Sequence, residues 1–395
     1  MPMTVAGLPG RAIRLGAKSD RAVSVERMPA RSRAVLVPMS LLGAAALVVA
    51  GCSAAPEPKP APAPGSSSPS TTAGTSVTVA GAPAALRRVV EKVYAKSDRP
   101  VTAKAHLGRW KGEKIAVVVA GDDVTLLTGP RWTVVGGWWP SLGKARPELG
   151  GAMHVLLIGS DARPGQDHDH ARGDALQLVG LDGTGGGGVV GIPRDSWVTL
   201  PNGSKGKINA ALTSGGPAGQ TAAVESLSGI RTTGYLCTGF GGFKRIVEQL
   251  GGIDYTAPKA VSGEASGAKV RAGRQRLGPE QALAYARERK TLPDGDFGRS
   301  RNQGLLLVGA FLDARRRGPS ELARALTVVQ SQSSSDLTAA EALRFGAWIY
   351  KISPMRVGHE VVTGSTPTIG GQSVVVLGDD ARATFRDFED ARLGG

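Results

Sequence analysis

Cysteine is almost absent from this 395-residue chain: only Cys52 and Cys237 occur, so at most one disulfide can form. Aromatic residues are scarce, at 5%, whereas 56 glycines and 25 prolines indicate many loops and at least one unstructured stretch. Internal repeats are missing. No Gly-Lys-Ser/Thr follows the glycine run 185–188, so that run reads as a flexible turn rather than a phosphate loop. Nor is there a recognisable DNA-binding module, which counts against a nucleic-acid-binding regulator despite the charge. What is present suffices for a core: 41% of residues are hydrophobic, which excludes wholesale disorder. The length suits one large domain or two ordinary ones.

Lys and Arg number 48 against 33 acidic residues, a net charge of +15. The first 52 residues carry seven of the basic and two of the acidic residues, which leaves the remainder at +10. A basic surface suits an anionic partner: nucleic acid, a phosphate-bearing polymer or anionic lipid. At the N-terminus, basic residues at 27, 31 and 33 precede an uncharged apolar run, 34–50, that ends in Val49-Ala-Gly-Cys52. The order basic, apolar, small is that of a secretory signal. The last four residues resemble a lipoprotein processing box, which would lipidate Cys52; an uncleaved membrane anchor is the alternative, with seventeen apolar residues at the short end for a span. Both readings place the body of the protein at the extracytoplasmic face of the cytoplasmic membrane. Residues 53–83, rich in Pro, Ala and Ser, read as a disordered tether. Cys237 is then a lone thiol, read as a partly buried small residue.

Residues 84–150 form a β-rich flank: a helix over 84–96, then a small meander of strands at 114–120, 124–128 and 132–135. The pair Trp138-Trp139 reads as buried packing. From 151 to 317 the pattern predicts an α/β core, with strands at 154–158, 175–181 and 189–192 and helices at 221–227, 243–250, 279–290 and 305–317. A flank of the same domain, 318–395, adds helices at 321–330 and 339–352 and strands at 357–362 and 373–377. The alternation argues for a layered α/β domain around a central sheet.

Charged residues gather at the predicted strand ends. Asp161 and Arg163 follow the first core strand, Arg172 and Asp174 precede the second, and Arg194 and Asp195 follow the third. Loops at such ends commonly carry ligands. Carboxylates suit Mg²⁺ and arginines grip phosphate oxygens. Lys207 adds a cation, and Arg287 and Arg289 end a helix shortly before Arg299. The alternation Asp167-His-Asp-His170 could bind a transition metal, but no further histidine lies nearby, so a mobile polar loop is expected.

Several segments stand together in an order that is similar to the LytR–CpsA–Psr family. They are Gly159-Ser-Asp-Ala-Arg163, Arg172-Gly-Asp174, Ile192-Pro-Arg-Asp195, Lys207-Ile-Asn-Ala210 and Leu250-Gly-Gly-Ile-Asp254. Further on stand Gly273-Arg-Gln-Arg-Leu277, the run 281–289 ending Tyr285-Ala-Arg-Glu-Arg289, and Gly295-Asp-Phe-Gly-Arg299. The resemblance covers about 153 to 317 closely and both flanks more loosely. It implies a three-layer α–β–α sandwich around a mixed sheet, with a hydrophobic tunnel for a polyprenyl chain. It also implies a Mg²⁺-dependent phosphotransferase that moves a polyprenyl-pyrophosphate-linked glycopolymer onto peptidoglycan, with teichoic acid, arabinogalactan or capsule as possible polymers. On this reading Asp161 and Asp174 hold the metal. Arg163, Arg172, Arg194, Lys207, Arg287, Arg289, Arg299 and Gln303 hold the pyrophosphate, and Asp161 or Asp195 serves as base. Asp161, Arg194, Asp195 and Arg299 would be the catalytic set. Pyrophosphate hydrolysis and a binding-only wall protein are the alternatives, and a transcriptional regulator a more distant one. The family's usual Arg-Ser-Asp-Thr stands here as Arg172-Gly-Asp-Ala175, which removes two hydroxyls near the expected metal. Asn302 stands where the family often has Arg.

Overall fold

The computed structural model describes residues 76–394; the signal-like segment with Cys52 and most of the expected tether lie outside the described residues. Within them, β1 (Val77–Ala80), helix α1 (Ala84–Val93) and strands β2 (Val101–Trp110), β3 (Glu113–Ala120), β4 (Asp123–Thr128), β5 (Thr133–Trp139) and β6 (Lys144–Glu148) come first. The six strands form one sheet in chain order, antiparallel except that β1 runs parallel to β2. The C-terminal end of the expected tether is instead a strand: Val77-Thr-Val-Ala80 pairs with the β2 edge, and its β-branched Val77, Thr78 and Val79 suit a pleated ladder. The expected meander of three strands is a six-stranded sheet. Alternation sorts its side chains. Ala116 and Val118 pack beneath α1, whereas Ile115 and Val117 face the rest of the molecule. Both tryptophans of the Trp138-Trp139 pair are buried, one on each face.

The second sheet is built from β7 (Met153–Ser160), β8 (Gly173–Leu181) and β9 (Gly187–Ile192). A hairpin of β10 (Trp197–Thr199) and β11 (Lys205–Lys207) follows, then α2 (Ala210–Ser228), β12 (Gly234–Thr238) and α3 (Phe240–Gln249). Two small ladders come next: β13 (Ile253–Ala257) with β16 (Gly273–Leu277), and β14 (Val261–Gly263) with β15 (Ala268–Val270). Helices α4 (Pro279–Arg287), α5 (Gly295–Arg317) and α6 (Leu322–Ser331) lead to β17 (Ser334–Ser335), α7 (Ala339–Lys351), β18 (Val357–Val361) and α8 (Asp379–Asp387). The central sheet has the order β17-β12-β7-β8-β9-β18 and is mixed: β12 with β7 and β9 with β18 are parallel, the others antiparallel. Leu156, Leu176 and Leu178 face α2 and α8, whereas Val155 and Val179 face α5 and α7. The three-layer α–β–α sandwich is thus present. Beyond it, α6 and α7 pack against the N-terminal sheet. Among the described residues no helix is long and apolar enough to cross a membrane.

Two helices are longer than expected. Helix α2 begins at Ala210, but Gly216, with φ of 62°, and Pro217 kink it and hide its first half from a periodicity reading. The predicted strand at 373–377 is only two short ladders, Gln372–Ser373 and Val376–Leu377, with Val375 bridging to Ser196 between them.

Close packing of α6 on β2 gives a first prediction. A Cβ on Gly108 would lie 2.5 Å from Ala323 O and 2.6 Å from Thr327 Oγ1. Gly108→Ala should therefore cost about 1–3 kcal/mol by overpacking. Gly151→Ala, whose Cβ meets nothing within 4 Å, serves as the control. Thermal unfolding of the two variants checks this; equal midpoints would contradict the packing.

Candidate active site

The layer of helices over the central sheet encloses a cavity of about 660 Å³. Its walls are largely apolar: Phe243 of α3, Leu306 and Phe311 of α5, Leu326 of α6 and Phe345 of α7 all line it. Its charged lining falls in two groups: Asp313 pairs with Arg317 and Glu321 with Arg324 near the C-terminus of α5, and a second group gathers by the N-terminus of that helix. Asp161, Arg163, Asp174, Arg194, Arg287, Arg289, Arg299 and Gln303 all meet there.

Each arrives by a short piece of local structure. A bulge at the end of β7 releases Asp161, whose Oδ1 accepts from Arg172 N at 2.9 Å; its own N–H donates to Arg172 O at 3.0 Å. Asp161 thus fastens both ends of the 161–172 loop. Asp174 sits on the first turns of β8, and Arg194 follows the β9 terminus. Arg194 Nη1 lies 2.5 Å from Asp174 Oδ2, and Arg194 Nε lies 3.9 Å from Asp296 Oδ1. Arg299 Nη2 is 2.6 Å from the same Asp296 oxygen, and Arg289 Nη1 is 3.9 Å from it. Asp296 is therefore a carboxylate shared by three arginines. It stands in the first turn of α5, where the helix N-terminus also favours an anion.

The arginines are graded in depth. Arg299 and Arg194 have side chains only 8% and 18% exposed, whereas that of Arg289 at the rim is 47% exposed. Burial pulls the Arg299 guanidinium below its ordinary range; Asp296 offsets part of this, and Arg194 pushes it lower again. Burial acts on Arg194 as well, but there the hydrogen bond and charge of Asp174, aided by Asp296 and Asp195, raise it above its ordinary value. At the rim, Arg287 stacks on the Phe240 ring at 4.7 Å. Gln303 is occupied within the protein: its Nε2 donates to Ala286 O at 3.0 Å and its Oε1 accepts from Gln177 Nε2 at 3.3 Å.

Three of the expected residues do not line the cavity. Lys207 Nζ pairs with Asp195 Oδ1 at 3.0 Å, so these two satisfy each other beside the site. Arg172 has an exposed side chain and contributes its backbone to Asp161. Two residues that motif reading passed over belong here instead. Asp296 lies inside the Gly295-Asp-Phe-Gly-Arg299 segment, of which only Arg299 was given a role. Gln177 is a buried amide inside an apolar strand, 1% exposed, and that mismatch was its signal.

Oδ1 of Asp174 and Nε of Arg194 are buried and make no hydrogen bond, and Oδ1 of Asp296 meets its arginines only as ion pairs. Such under-satisfied groups of both signs suit a charged ligand that completes them. Among the described residues no group of three or more His, Cys, Asp and Glu is placed to hold a metal. A cation here would take two carboxylates, Asp174 and Asp296, and complete its shell with phosphate oxygens and water, as Mg²⁺ commonly does. Asp161, expected as a ligand beside Asp174, already spends Oδ1 on Arg172.

The side chains of the His/Asp loop lie close to one another. His170 Nδ1 pairs with Asp167 at 2.7 Å, His168 Nε2 lies 3.4 Å from Asp169, and Asp169 accepts from Ser334 Oγ. Cys237 is fully buried beneath it, with Sγ 3.6 Å from His168 O. Burial, then the nearby Asp169, pushes the thiol pKa up, so it remains protonated and packs as a small apolar residue.

Comparison with known proteins places this geometry. The model of the LytR_cpsA_psr family matches residues 142–387. The polyisoprenyl-teichoic acid–peptidoglycan teichoic acid transferase TagV of Bacillus subtilis is 31% identical over 241 residues, which cover 58% of this chain and 60% of TagV. LcpB of Corynebacterium glutamicum, a probable cell wall biosynthesis protein, is 33% identical over 148 residues, 34% of this chain and 36% of LcpB. The chain thus spans less than two thirds of either relative. Among solved structures, protein gbs0355 of Streptococcus agalactiae has the same fold, with a TM-score of 0.53 at 23% identity over 61% of this chain and 88% of that one.

Proposed function

The chain belongs to the LytR–CpsA–Psr family, and from that premise we propose that it transfers a polyprenyl-pyrophosphate-linked anionic glycopolymer onto a hydroxyl of peptidoglycan. One observation carries the reading: an apolar cavity that ends in a cluster of arginines and carboxylates. The cavity walls suit a prenyl chain, and its charged mouth suits a pyrophosphate. Phosphoryl transfer asks a protein mainly for positioning and neutralisation. Arg163, Arg287 and Arg289 at the rim would receive the pyrophosphate, and Arg194 and Arg299 would hold it deeper. The acceptor oxygen attacks the phosphorus nearest the glycan, the bond from that phosphorus to the bridging oxygen breaks, and polyprenyl phosphate leaves. Mg²⁺ held by Asp174 and Asp296 would supply further neutralisation of the phosphate oxygens. Of the two carboxylates considered as base, only Asp161 lines the cavity; Asp195 is engaged by Lys207.

The N-terminal segment ending at Cys52 would hold the domain at the extracytoplasmic face, by lipidation or as a spanning anchor. This rests on the order of residues 27–52 alone.

The test is incubation of the protein with a polyprenyl-pyrophosphate-linked saccharide, with and without peptidoglycan oligomers and with and without EDTA. Transfer that needs both acceptor and Mg²⁺ is expected. Release of polyprenyl phosphate into solution without transfer would favour a pyrophosphate hydrolase. No release from any donor by folded protein would favour a binding-only role. A second prediction concerns the cavity. Ala325 of α6 lines it, so Ala325→Trp should obstruct the prenyl chain. The KM for a long-chain donor should rise by about tenfold or more, the equivalent of losing some 1.4 kcal/mol of binding, while a short-chain analogue is little affected. Equal effects on both donors would place the chain elsewhere.

A further inference from the structure

Arg287 and Arg289 both line the cavity mouth, and the residue between them turns elsewhere. Glu288 caps α4 with extended backbone, φ of −67° and ψ of 130°, and its side chain does not line the cavity but turns to Ser266 and Thr291. There it is only 1% exposed. Its Oε1 accepts from Thr291 N at 3.0 Å and lies 3.3 Å from Thr291 Oγ1; its Oε2 accepts from Ser266 Oγ. Thr291 Oγ1 also lies 2.9 Å from Ser262 O. Ser262 belongs to β14 and Ser266 to the turn that joins β14 to β15. Gly263, the last residue of β14, leaves the room the carboxylate needs, because a Cβ there would fall 1.7 Å from Glu288 Oε2. Among the described residues no cation pairs with Glu288.

A buried carboxylate without a cation is costly unless hydrogen bonds offset its lost hydration. Here the donors prevail: burial would raise its pKa, but Ser266 and Thr291 hold it below the ordinary range. The ionised form of the carboxylate is thus favoured at the residue between the two arginines.

We propose that Glu288 is a positioning residue for the pyrophosphate clamp, and that the β14–β15 hairpin is the buttress against which it aims Arg287 and Arg289 into the mouth. This rests on the clamp reading of those arginines. Anchoring the middle residue fixes the directions of its two neighbours, which alternate about it. Arg287 and Arg289 at the rim would engage the phosphate oxygens as the donor binds, before any bond breaks, so the device acts on KM more than on kcat.

The test uses the full chain with three variants, Glu288→Gln, Thr291→Val and their combination, each assayed for KM and kcat with the lipid-linked donor. Glu288→Gln should raise KM by about tenfold, the loss expected of one hydrogen bond to a charged group, with kcat little changed. Thr291→Val should raise it by about threefold. The double variant should match Glu288→Gln alone, because both substitutions release one anchor. Arg289→Ala is run in parallel. If Arg289→Ala raises KM but Glu288→Gln and Thr291→Val do not, the positioning role is wrong and the clamp stands. If Arg289→Ala leaves KM unchanged, the clamp reading itself fails. Should Glu288→Gln not fold, Thr291→Val decides: an unchanged KM overturns the proposal.

Discussion

Arg194→Ala is expected to lower the rate of glycopolymer transfer by about 10²–10³-fold, the usual effect of removing one preorganised charge from the site of developing charge. Arg194 is the hub of the mouth, 2.5 Å from Asp174 and within 3.9 Å of Asp296. Its loss removes a cation from the pyrophosphate and leaves two mostly buried carboxylates less neutralised. Breaking such a pair costs about 3–5 kcal/mol when fully buried; with side chains near 18% exposure, the low end applies. Arg194→Lys keeps the charge but not the fork that reaches two carboxylates, so it should recover stability better than activity. Turnover and thermal unfolding measured side by side separate the two effects. Near-normal turnover in folded Arg194→Ala would remove Arg194 from the mechanism.

Asp296→Asn is expected to be nearly as damaging to activity, and more so to stability. Three arginines share this carboxylate, and one of them, Arg299, is almost sealed from water with its pKa already depressed by burial. Without Asp296 their mutual repulsion is uncompensated, a loss of about 3–5 kcal/mol for a buried pair deprived of one partner. The direction of rescue is diagnostic. Inorganic pyrophosphate should restore part of the lost thermal midpoint, because an anion that binds only the folded state stabilises it by mass action. It should not restore transfer. A variant that unfolds at the wild-type temperature, with or without pyrophosphate, would show that Asp296 does not balance the cluster.

The residues that reading of the sequence overlooked share one physical cause. Strands β7, β8 and β9 were legible because their side chains enter cores on both faces and read as continuous apolar runs. Strand β12 went unread: Leu236 lines the cavity and Tyr235 is only half-buried, so Gly-Tyr-Leu-Cys-Thr shows neither a run nor a clean alternation. The first ten residues of α5 face the site with Asp296, Arg299 and Gln303, and so they lack the apolar stripe that marks the rest of that helix. A wall that borders a ligand space loses its core periodicity, so the segments that built the site were those least visible as structure. Motif order found Arg194, Asp174, Arg289 and Arg299. It could not tell which side of a strand end faces the cavity, and so it also gathered Lys207, Asp195 and Arg172. In the His/Asp loop, Asp167 lies by His170 and Asp169 by His168 and Ser334, contacts that depend in part on the neighbouring β17 and are not legible in the alternation itself.

The most direct measurement follows phosphorus. A lipid-linked donor is prepared with its two pyrophosphate phosphorus atoms distinguishably labelled, and the full-length protein is given this donor with peptidoglycan oligomers and Mg²⁺. The account predicts that the phosphorus nearest the glycan becomes covalently attached to the wall product, while the other stays with the prenyl chain. Release of the glycan-side phosphorus as a soluble phosphorylated saccharide, with none in the peptidoglycan, would contradict transfer.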